Sequence, residues 1–380
     1  MKKLLLILSL VFLAGCGEKG SSENTNPDNF LEDLTYSVDT VLVDSGDDLI
    51  NLRNGLNFGT VNSQKSKLYI FDRTNQILQT IDLDRLQLEE STQFEKEGPN
   101  GTGQYVSSIQ SLSDERLLIV SYQNNGIFSL KGEKEVSIKL ESSKIDSLTV
   151  ELEPNAAQNL LVTQNREKIF AIPGTFWEGE RRFLIAKIPD LSGRVIRLPE
   201  LDQISKFTIL YHSNEGSTAY LPEIGLSEID GNVILWNSVT SSIYIIDPQT
   251  ESISEKSFPH KLVPAKKEEA VQQKVNSMEE FQTEMGKVSS QIHFNELLWD
   301  DSREQYFRFG NIKPTDNGGA SSRGLDIFLF AYDRNLNLIG EQKMVSLNYV
   351  PDFPFFKDGK LYSYVNVEDE LGFAVFTFDF

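Results

Sequence analysis

Residues 68–72 read Leu-Tyr-Ile-Phe-Asp, and this pattern, an apolar or aromatic strand followed by an aspartate, recurs along the chain. The aspartate opens a turn, where its carboxylate can accept hydrogen bonds from backbone N–H groups. Clear further copies end at 247, 333 and 379, and weaker copies end at 131 and 190. Successive copies therefore end 59, 59, 57, 86 and 46 residues apart. This spacing indicates a repeat built from short strands.

A second strand precedes most copies, and the chain offers examples at 116–122, 232–237, 305–310 and 360–367. The sequence therefore predicts an all-β fold, a six-bladed β-propeller in which each blade is a four-stranded antiparallel sheet. The last unit has room for only about three strands. The alternating segment 35–43 has no unit of its own, so we expect it to close the last blade. Closure would remove exposed strand edges.

The longest gap contains a predicted helical insertion at about 265–292. Its apolar residues follow one another at intervals of three or four, which is helix periodicity: Val271, Val275, Met278, Phe281, Met285, Val288 and Ile292. Ser277 and Glu280 match a capping box, so we expect a break near Asn276. The apolar stripe is expected to pack against a blade or to cap the channel. Filling a partner's groove is the alternative.

The N-terminus reads MKKLLLILSLVFLAGCG, with two lysines, an apolar run and the only cysteine of the chain. The ten-residue run 4–13, apolar except for Ser9, is too short to span a bilayer and is typical of a signal peptide, here residues 1–15. The tetrapeptide Leu13-Ala14-Gly15-Cys16 resembles the lipobox of bacterial lipoproteins. The resemblance implies cleavage before Cys16 and attachment of acyl chains such as palmitate to it. An ordinary buried thiol is the alternative.

The segment after the cysteine is polar and small, so residues 16–30 are expected to form a lipidated cysteine and a flexible tether. The propeller domain would then cover 31–380. Position 17 is glycine rather than aspartate, which resembles lipoproteins sorted to the outer membrane. We therefore expect a protein of the bacterial cell envelope that meets a membrane through its N-terminal lipid. No later run of 18 or more apolar residues occurs.

The charge excludes one class of partner. The chain carries 36 Lys+Arg against 56 Asp+Glu, a net charge of −20. Nucleic-acid binding needs a basic surface that replaces counterions, so we expect no nucleic-acid partner. Solubility is sufficient to explain the acidity. The sequence leaves the oligomeric state open.

Several motifs together resemble a known family. These are Cys16, the turn 97–103 (EGPNGTG), the insertion before the fifth blade, and Trp299-Asp300-Asp301 leading to Tyr306-Phe307-Arg308. The chain resembles lipid-anchored bacterial six-bladed propellers that are grouped as a family of unknown function, with TolB-like and NHL-like propellers as relatives in shape. The resemblance implies a binding or scaffold role at the envelope, with a protein or glycan partner. It implies no activity.

Aromatic and arginine side chains suit stacking and carboxylate recognition. On this ground the candidate ligand face consists of Trp177, Arg181, Arg182, Trp236, Tyr306 and Arg308. The alternative is that the tryptophans fill gaps between blades. Arg323, in the polar loop 315–323, is a further candidate for meeting a partner.

The glycines Gly98, Gly101 and Gly103 predict a tight turn between two blades. A phosphate-binding loop is excluded because no Gly-Lys-Ser/Thr follows.

Catalytic signatures are weak. The three histidines, His212, His260 and His293, have no metal-ligand spacing, so we expect structural or surface roles and no bound cofactor. Carboxylates could still pair at the mouth of a propeller channel, with calcium as a possible ion. A channel-carboxylate hydrolase or lyase is therefore the alternative to a binding module. A purely structural assembly subunit is the third hypothesis.

Overall fold

The computed structural model describes residues 29–122, 124–147, 159–173, 181–214, 216–314 and 324–380. Within these residues the chain is mostly β-strand and forms seven sheets with two short α-helices. The predicted signal peptide, Cys16 and nearly all of the tether lie outside the described residues, as do Trp177 and Arg323.

The first half of the chain begins with strand β1 (Thr35–Leu42) and continues with three antiparallel meanders. Sheet I consists of β2 (Gly59–Val61), β3 (Lys67–Asp72), β4 (Ile77–Asp82) and β5 (Gln87–Gln93). Sheet II consists of β6 (Val106–Leu112), β7 (Arg116–Ser121), β8 (Gly126–Ser129) and β9 (Lys134–Ser137). Sheet III contains β10 (Ile145–Asp146), β11 (Leu160–Val162), β12 (Lys168–Ala171), β13 (Phe183–Lys187) and β14 (Gly193–Ile196). Strand β10 is an addition, because it pairs in parallel with β14.

The connection from sheet III to sheet IV contains helix α1 (Pro199–Ile204) and the hairpin β15 (Ile209–Ser213) and β16 (Gly216–Tyr220). Sheet IV consists of β17 (Ile224–Ile229), β18 (Asn232–Asn237), β19 (Ile243–Ile246) and β20 (Ile253–Lys256). Strand β21 (Lys274–Val275) and helix α2 (Met278–Ser289) follow. Sheet V consists of β22 (His293–Asp300), β23 (Gln305–Ile312), β24 (Asp326–Tyr332) and β25 (Leu338–Lys343). The last three strands are β26 (Phe355–Lys357), β27 (Lys360–Val367) and β28 (Glu370–Asp379).

The N-terminal strand is the fourth strand of sheet VI. Strand β1 pairs antiparallel with β28 over its whole length, from Thr35 opposite Asp379 to Leu42 opposite Gly372. Sheet VI therefore has the order β1-β28-β27-β26. This is the position that the alternation of segment 35–43 predicts.

The repeated motif is the third strand of its sheet, with one exception. In sheets II to VI the predicted copies coincide with β8, β13, β19, β24 and β28. In sheet I the copy at 68–72 is β3, the second strand, and the third strand is β4, which ends at Asp82. Sequence could not separate the two, because both strands end in an aspartate that accepts turn N–H groups. Asp72 accepts from Thr74 at 2.8 Å, and Asp82 accepts from Arg85 at 2.8 Å.

The hydrophobic core is divided among the sheets. In the described part of the chain six clusters each combine residues of two of the sheets I to VI. Five of them join sheets I and II, II and III, III and IV, IV and V, and V and VI. The remaining one packs Leu68 and Ile70 of sheet I against Phe373 and Val375 of sheet VI. Every sheet thus buries both of its faces against neighbours, which explains the near-continuous apolar runs.

The insertion differs from the prediction. The helix covers Met278–Ser289 only, and residues 274–275 form β21, which pairs in parallel with β15. Ser277 Oγ accepts the Glu280 N–H at 3.1 Å, and Glu280 accepts the Asn276 N–H at 2.8 Å, so the helix begins where the capping box predicts. The spacing misleads upstream of Ser277, because Val271 and Val275 are buried against α2 and β15 without being helical. Neither described helix combines the length and the apolarity needed to cross a membrane.

Candidate functional site

The connections of each meander alternate between two faces of the molecule. The turn face carries the connections between the first and second strands of each sheet and those between the third and fourth strands. The loop face carries the connections between second and third strands and those that join one sheet to the next. Polar contacts link the turns of neighbouring sheets, which places these turns on one side.

The turn face is joined by polar contacts from sheet to sheet. Four of these junctions are ion pairs or charged hydrogen bonds: Arg166 with Asp114, Arg334 with Asp230, Arg303 with the Gly359 carbonyl, and Lys357 with Asp84. Gln164 N–H donates to Glu228 across the junction of sheets III and IV at 2.7 Å. Exposed ion pairs contribute little each, so their main effect is to occupy the polar groups of this face.

The loop face carries the exposed large apolar side chains. Leu49 is 90% exposed and Val345 is 89% exposed. Six others belong to loop-face connections or to the strand ends that adjoin them: Leu42, Tyr105, Tyr122, Leu262, Met278 and Tyr349. Among the described residues, only Val38 on β1 is exposed and large but lies elsewhere. Contiguous patches of exposed apolar groups mark interaction surfaces, and the loop face is the side on which these side chains are found.

A cavity of about 770 Å³ opens on the loop face between sheets VI and I. We call it the VI–I cavity. One wall is the segment 48–53, which connects β1 to β2, and the other walls come from sheet I and from the β27–β28 turn. The lining residues are Asp48, Leu49, Ile50, Asn51, Leu52, Arg53, Asp72, Asn75, Ile77, Gln79, Ser91, Asn366 and Asp369.

Two polar side chains of this lining are fixed by their contacts. Asp72 accepts from the side-chain amides of Asn51 at 3.0 Å and Asn75 at 2.8 Å. Burial alone would raise the pKa of Asp72, but these hydrogen bonds outweigh it and hold the pKa below its usual value. Gln79 is 4% exposed and donates from Nε2 to the Leu49 carbonyl at 2.8 Å. Its Oε1 is buried and has no hydrogen-bond partner.

A second group of charged residues lies on the inner strands. Burial raises the pKa of Glu296, in β22, to about 7; Lys65 acts against this shift and Glu223 adds to it. The interacting residues come from sheets V, I and IV, although sheets I and V are not consecutive. Glu223, whose side chain is 62% exposed, lies 3.5 Å from His293 Nε2, and this contact lowers the Glu223 pKa. We call these four residues the axial cluster.

The axial cluster contains two carboxylates, Glu223 and Glu296, that sequence could not identify. Glu223 precedes β17, and Glu296 lies in the middle of β22. A carboxyl group with a pKa near neutrality can donate or accept a proton at physiological pH. Glu296 is therefore the member of this cluster whose pKa suits proton transfer, and Lys65 is a cation that lowers that pKa.

Arg308, predicted for the ligand face, is fully buried. Its Nε donates to the Asn295 carbonyl at 2.6 Å, Nη1 to Ser241 at 2.7 Å and Nη2 to Asn237 at 3.1 Å. Burial lowers its pKa to about 10. The guanidinium thus connects sheet V to sheet IV from inside, and it is not available to a ligand at the surface.

Tyr306 and Trp236 also belong to the packing between sheets IV and V. Tyr306 is buried, its pKa is raised by burial to about 12, and its ring centroid lies 4.6 Å from that of Trp299. Trp236 is half-buried against the same cluster and lies directly over Gly225. The alternative prediction, that tryptophan fills gaps between sheets, describes Trp236 better than the ligand face does.

The remaining candidates lie elsewhere. Arg181 and Arg182 precede β13 in sheet III, and burial of Arg181 lowers its pKa. The described members of the predicted ligand face therefore do not share one surface. Sequence could not reveal this, because the inward or outward direction of each side chain depends on strand register.

The glycine-rich turn lies in the connection from sheet I to sheet II. Gly98 and Gly103 both have φ of +91°, and a Cβ on Gly101 would lie 2.8 Å from the Glu97 backbone. The Gly101 carbonyl accepts from Lys134 Nζ at 2.8 Å and from Asn124 Nδ2 at 2.6 Å. The turn is thus held by sheet II and presents no free anion-binding N–H array.

The histidines do not converge. His212 is exposed and bonds to Ser217 at 2.7 Å, and His293 belongs to the axial cluster. His260 is buried among aromatic rings, and burial, with Arg308 nearby, lowers its pKa to about 3. Within the described ranges no three His, Cys, Asp or Glu side chains are grouped so that they could hold a metal ion.

The profile of a domain of unknown function (DUF4221) matches residues 27–343, which is most of the chain. The chain belongs to the DUF4221 family. A crystal structure of a DUF4221 member from Bacteroides vulgatus is similar, with a TM-score of 0.63, 14% identity, and coverage of 91% of this chain and 98% of that one. The expected membership of a family of unknown function is therefore confirmed.

Other solved structures match the chain at low identity. A putative exported protein from Bacteroides fragilis matches with a TM-score of 0.51 and 9% identity, over 92% of this chain and 96% of that one. TolB from Acinetobacter baumannii matches with a TM-score of 0.38 and 9% identity, over 83% of this chain and 64% of that one. No curated protein matches the chain significantly.

Proposed function

We propose that the protein is a binding or scaffold module of the bacterial cell envelope that holds a protein or glycan partner on its loop face. The observation that carries the proposal is the separation of the two faces. Exposed leucine, valine and tyrosine side chains lie on the loop face, whereas the turn face is occupied by its own ion pairs. An extended apolar surface on one side of a β-body fits a partner better than it fits solvent.

We further propose that sheets I to VI are the blades of a closed six-bladed propeller. Each of these sheets contains a four-stranded antiparallel meander, and one hydrophobic cluster joins the last sheet to the first. The axial cluster supports a central axis, since Lys65 and Glu296 interact although sheets I and V are not consecutive. Small-angle X-ray scattering of the monomer tests this proposal, because an open arc and a closed ring differ in their pair-distance distribution.

We propose that Cys16 carries the lipid and that the protein is attached to the outer membrane. The body offers a defined point of attachment: Phe30 N–H donates to the Ile339 carbonyl and Asn29 Nδ2 to the Glu341 carbonyl, each at 2.9 Å. Residues 16–28 would reach at most about 45 Å when fully extended. Metabolic labelling with an alkyne fatty acid, with Cys16→Ser as the control, tests the lipid. Membrane fractionation tests the attachment to the outer membrane.

Site-specific photo-crosslinking in cells tests the binding role. A benzophenone amino acid is placed at Val345 or Tyr105 on the loop face, and at Gln249, an exposed residue of the β19–β20 turn, as the control. We expect one discrete adduct from both loop-face positions and none from Gln249. Digestion of the adduct by protease or by glycosidase identifies the class of partner. Adducts of equal yield from all three positions, or from none, would contradict the proposal.

A hydrolase or lyase that uses channel carboxylates is the second candidate, because the axial cluster pairs Glu296 with Glu223 beside Lys65. Glycan and lactone substrates are assayed with and without calcium. Activity that is lost in Glu296→Gln, and retained in the control Glu200→Gln on helix α1, would favour this function over binding.

A further inference from the structure

Strand β1 is the outer strand of sheet VI, and among the described residues its outer edge has no partner strand. Val43 N–H donates to the Leu371 carbonyl, so this pair of residues is hydrogen-bonded. Hydrogen-bonded and non-hydrogen-bonded pairs alternate along an antiparallel ladder, and the register of β1 with β28 has no shift. The residues whose N–H and C=O groups point away from β28 are therefore Tyr36, Val38, Thr40 and Leu42. We call this row of backbone groups the β1 edge.

The chain already pairs with this edge at the position that follows β1. Asp44 is the next residue that faces outward, and its N–H donates to the Leu86 carbonyl at 2.8 Å. Its carbonyl accepts the Leu88 N–H at 2.9 Å, so a segment of sheet I lies parallel beside it. The outward groups of the β1 edge form no hydrogen bond with any described residue. The row of donors and acceptors thus continues where its partner ends.

The outer strands of the other sheets are protected in ways that β1 is not. Strand β14 carries β10 on its outer side, and the Ile339 carbonyl of β25 accepts the Phe30 N–H. Strands β9 and β20 have four residues each, two of them charged, and β5 contains two glutamates. Strand β1 has eight residues and one charge, that of Asp39. Covering segments, short length and charges are the usual means by which a strand edge is kept from pairing, so β1 stands out as open.

The exposed side chains of β1 define the chemistry of a strand that would fit. Val38 and Leu42 lie on one face of the strand and are 45% and 49% exposed. Asp39 is exposed on the opposite face. Side chains that are opposite each other on paired strands share a face, so a fitting strand has apolar side chains on the Val38 face and a cation opposite Asp39. The net charge of −20 also favours a cationic segment.

Two other occupants fit this chemistry less well. A second copy of the chain has the same net charge of −20 and brings a second Asp39, so its approach is opposed by repulsion. Residues 17–28 of the tether contain no valine, isoleucine, leucine or aromatic residue that could cover Val38 and Leu42. The covered outer edges of sheets III and V show, within the described residues, that extended backbone is what these edges accept.

We propose that the β1 edge accepts an extended segment of a partner polypeptide as a fifth strand of sheet VI. The segment alternates apolar and polar side chains and places a lysine or arginine opposite Asp39. Main-chain hydrogen bonds provide the affinity, and the side chains provide the selectivity. The centre of the edge, at Val38, lies outside the loop face, so this inference goes beyond the loop-face partner and does not depend on it.

Isothermal titration of the full mature chain in detergent tests the pairing. The probe is the peptide acetyl-Lys-Val-Thr-Val-Lys-Val-Thr-amide, whose valines share one face and whose second lysine can lie opposite Asp39. The control peptide has N-methylvaline at all three valines, which removes the N–H groups that would face β1 and keeps the charge. We expect the probe to bind and the control to bind at least about tenfold more weakly. No binding of the probe, or equal affinity of the two peptides, would overturn the proposal.

Amide hydrogen exchange followed by mass spectrometry locates the pairing. We expect rapid exchange within 35–42 in the free protein, because half of these amides lack a hydrogen bond, and slower exchange with the probe. Exchange within β20 should not change. Protection of 35–42 without the probe would contradict the proposal. If that protection rises with protein concentration, the occupant is a second copy, and if it is lost when residues 17–28 are deleted, the occupant is the tether.

Variants assign the binding to the β1 edge. Thr40→Pro removes one outward N–H and leaves the ladder with β28 intact, so it should weaken binding of the probe by about tenfold or more. The matched control is Glu255→Pro. Glu255 is exposed on β20, and its N–H also points away from its sheet, because Asp247 and Ser252 form a hydrogen-bonded pair three positions along. This control should bind the probe like the parent.

A second variant keeps the test valid if Thr40→Pro does not fold, as judged by circular dichroism. Asp39→Lys changes only an exposed side chain and should also weaken binding of the cationic probe. Parent-like affinity in every folded variant of β1 would refute the assignment.

The tests of the β1 edge and of the loop face fail separately. Loss of the crosslinks at Val345 and Tyr105 with binding of the probe intact would remove the loop-face partner and leave the β1 edge. Crosslinks without binding of the probe would do the reverse, because neither crosslinking position belongs to β1.

Discussion

Replacement of Arg308 by methionine should destabilise the protein by about 3 kcal/mol. The side chain makes three hydrogen bonds to carbonyls, at 2.6, 2.7 and 3.1 Å, and each charged hydrogen bond contributes about 2 kcal/mol. The buried charge opposes this gain: its pKa falls from 12.5 to about 10, which corresponds to about 3 kcal/mol at about 1.4 kcal/mol per unit. The variant loses the contribution of the three hydrogen bonds and is relieved of the desolvation cost of the buried charge. Methionine fills most of the volume of the arginine side chain.

Urea unfolding followed by far-UV circular dichroism and by tryptophan fluorescence measures this loss. The matched control is Arg334→Met, because Arg334 also connects sheets IV and V, through Asp230 and Glu304, but is about half exposed. We expect the control to lose about 0.5 kcal/mol or less. Equal losses in the two variants would refute the account of Arg308 as an internal connection. So would a stable Arg308→Met protein that had lost partner binding, which would restore Arg308 to the ligand face.

Three further predictions concern single residues. Glu296 has a pKa of about 7 in the folded protein against 4.5 in the unfolded chain, so its contribution to the free energy of unfolding falls as the pH rises from 4.5 to 7. In urea unfolding, Glu296→Gln should be as stable as the parent at pH 4. At pH 8 it should be more stable than the parent by at most about 3 kcal/mol. Burial lowers the pKa of Lys267, whose Nζ donates to carbonyls at the end of α2, from 10.5 to about 8; the parent should therefore gain stability over Lys267→Met between pH 8 and 10.5, and a flat difference would contradict this. Gly225→Ala would place a Cβ 2.4 Å from the Trp236 ring, so we expect a loss of about 1–3 kcal/mol and a shifted tryptophan emission. The control Gly286→Ala, in helix α2 with no atom within 4 Å of its Cβ, should show neither.

Local chemistry made the repeat visible. An aspartate accepts turn N–H groups after β13, β19 and β24, at Asp190, Asp247 and Asp333. The copies on β8 and β28 follow the same apolar pattern without such a turn contact. Asp72 makes the same kind of contact in the turn after β3. The copy at 68–72 therefore lies on the second strand of sheet I and not on the third. The helix start at Ser277 was likewise local and predictable, whereas the pairing of β21 with β15 joins segments more than sixty positions apart and left no local signal.

The candidate sites depend on contacts of this distant kind. Asp48, Gln79 and Asp369 meet in the VI–I cavity only because the N-terminal segment crosses sheet I after β1 has paired with β28. Lys65 and Glu296 are more than two hundred positions apart and interact only through the arrangement of the sheets. For Arg308 the residue type predicted a role in ligand recognition, but strand register directs the side chain into the core.

The pairing of β1 with β28 also sets an order of events during folding. Strand β1 is synthesised first, yet its partner is more than 300 positions later in the chain. Closing so long a loop is slow, and until then β1 presents an unpaired edge on both sides. A chain that stops before Glu370 would leave β1 without any partner strand and β27 paired on one side only, with β26. Strand β1 therefore gains its hydrogen-bonded partner only after Glu370–Asp379 has been synthesised.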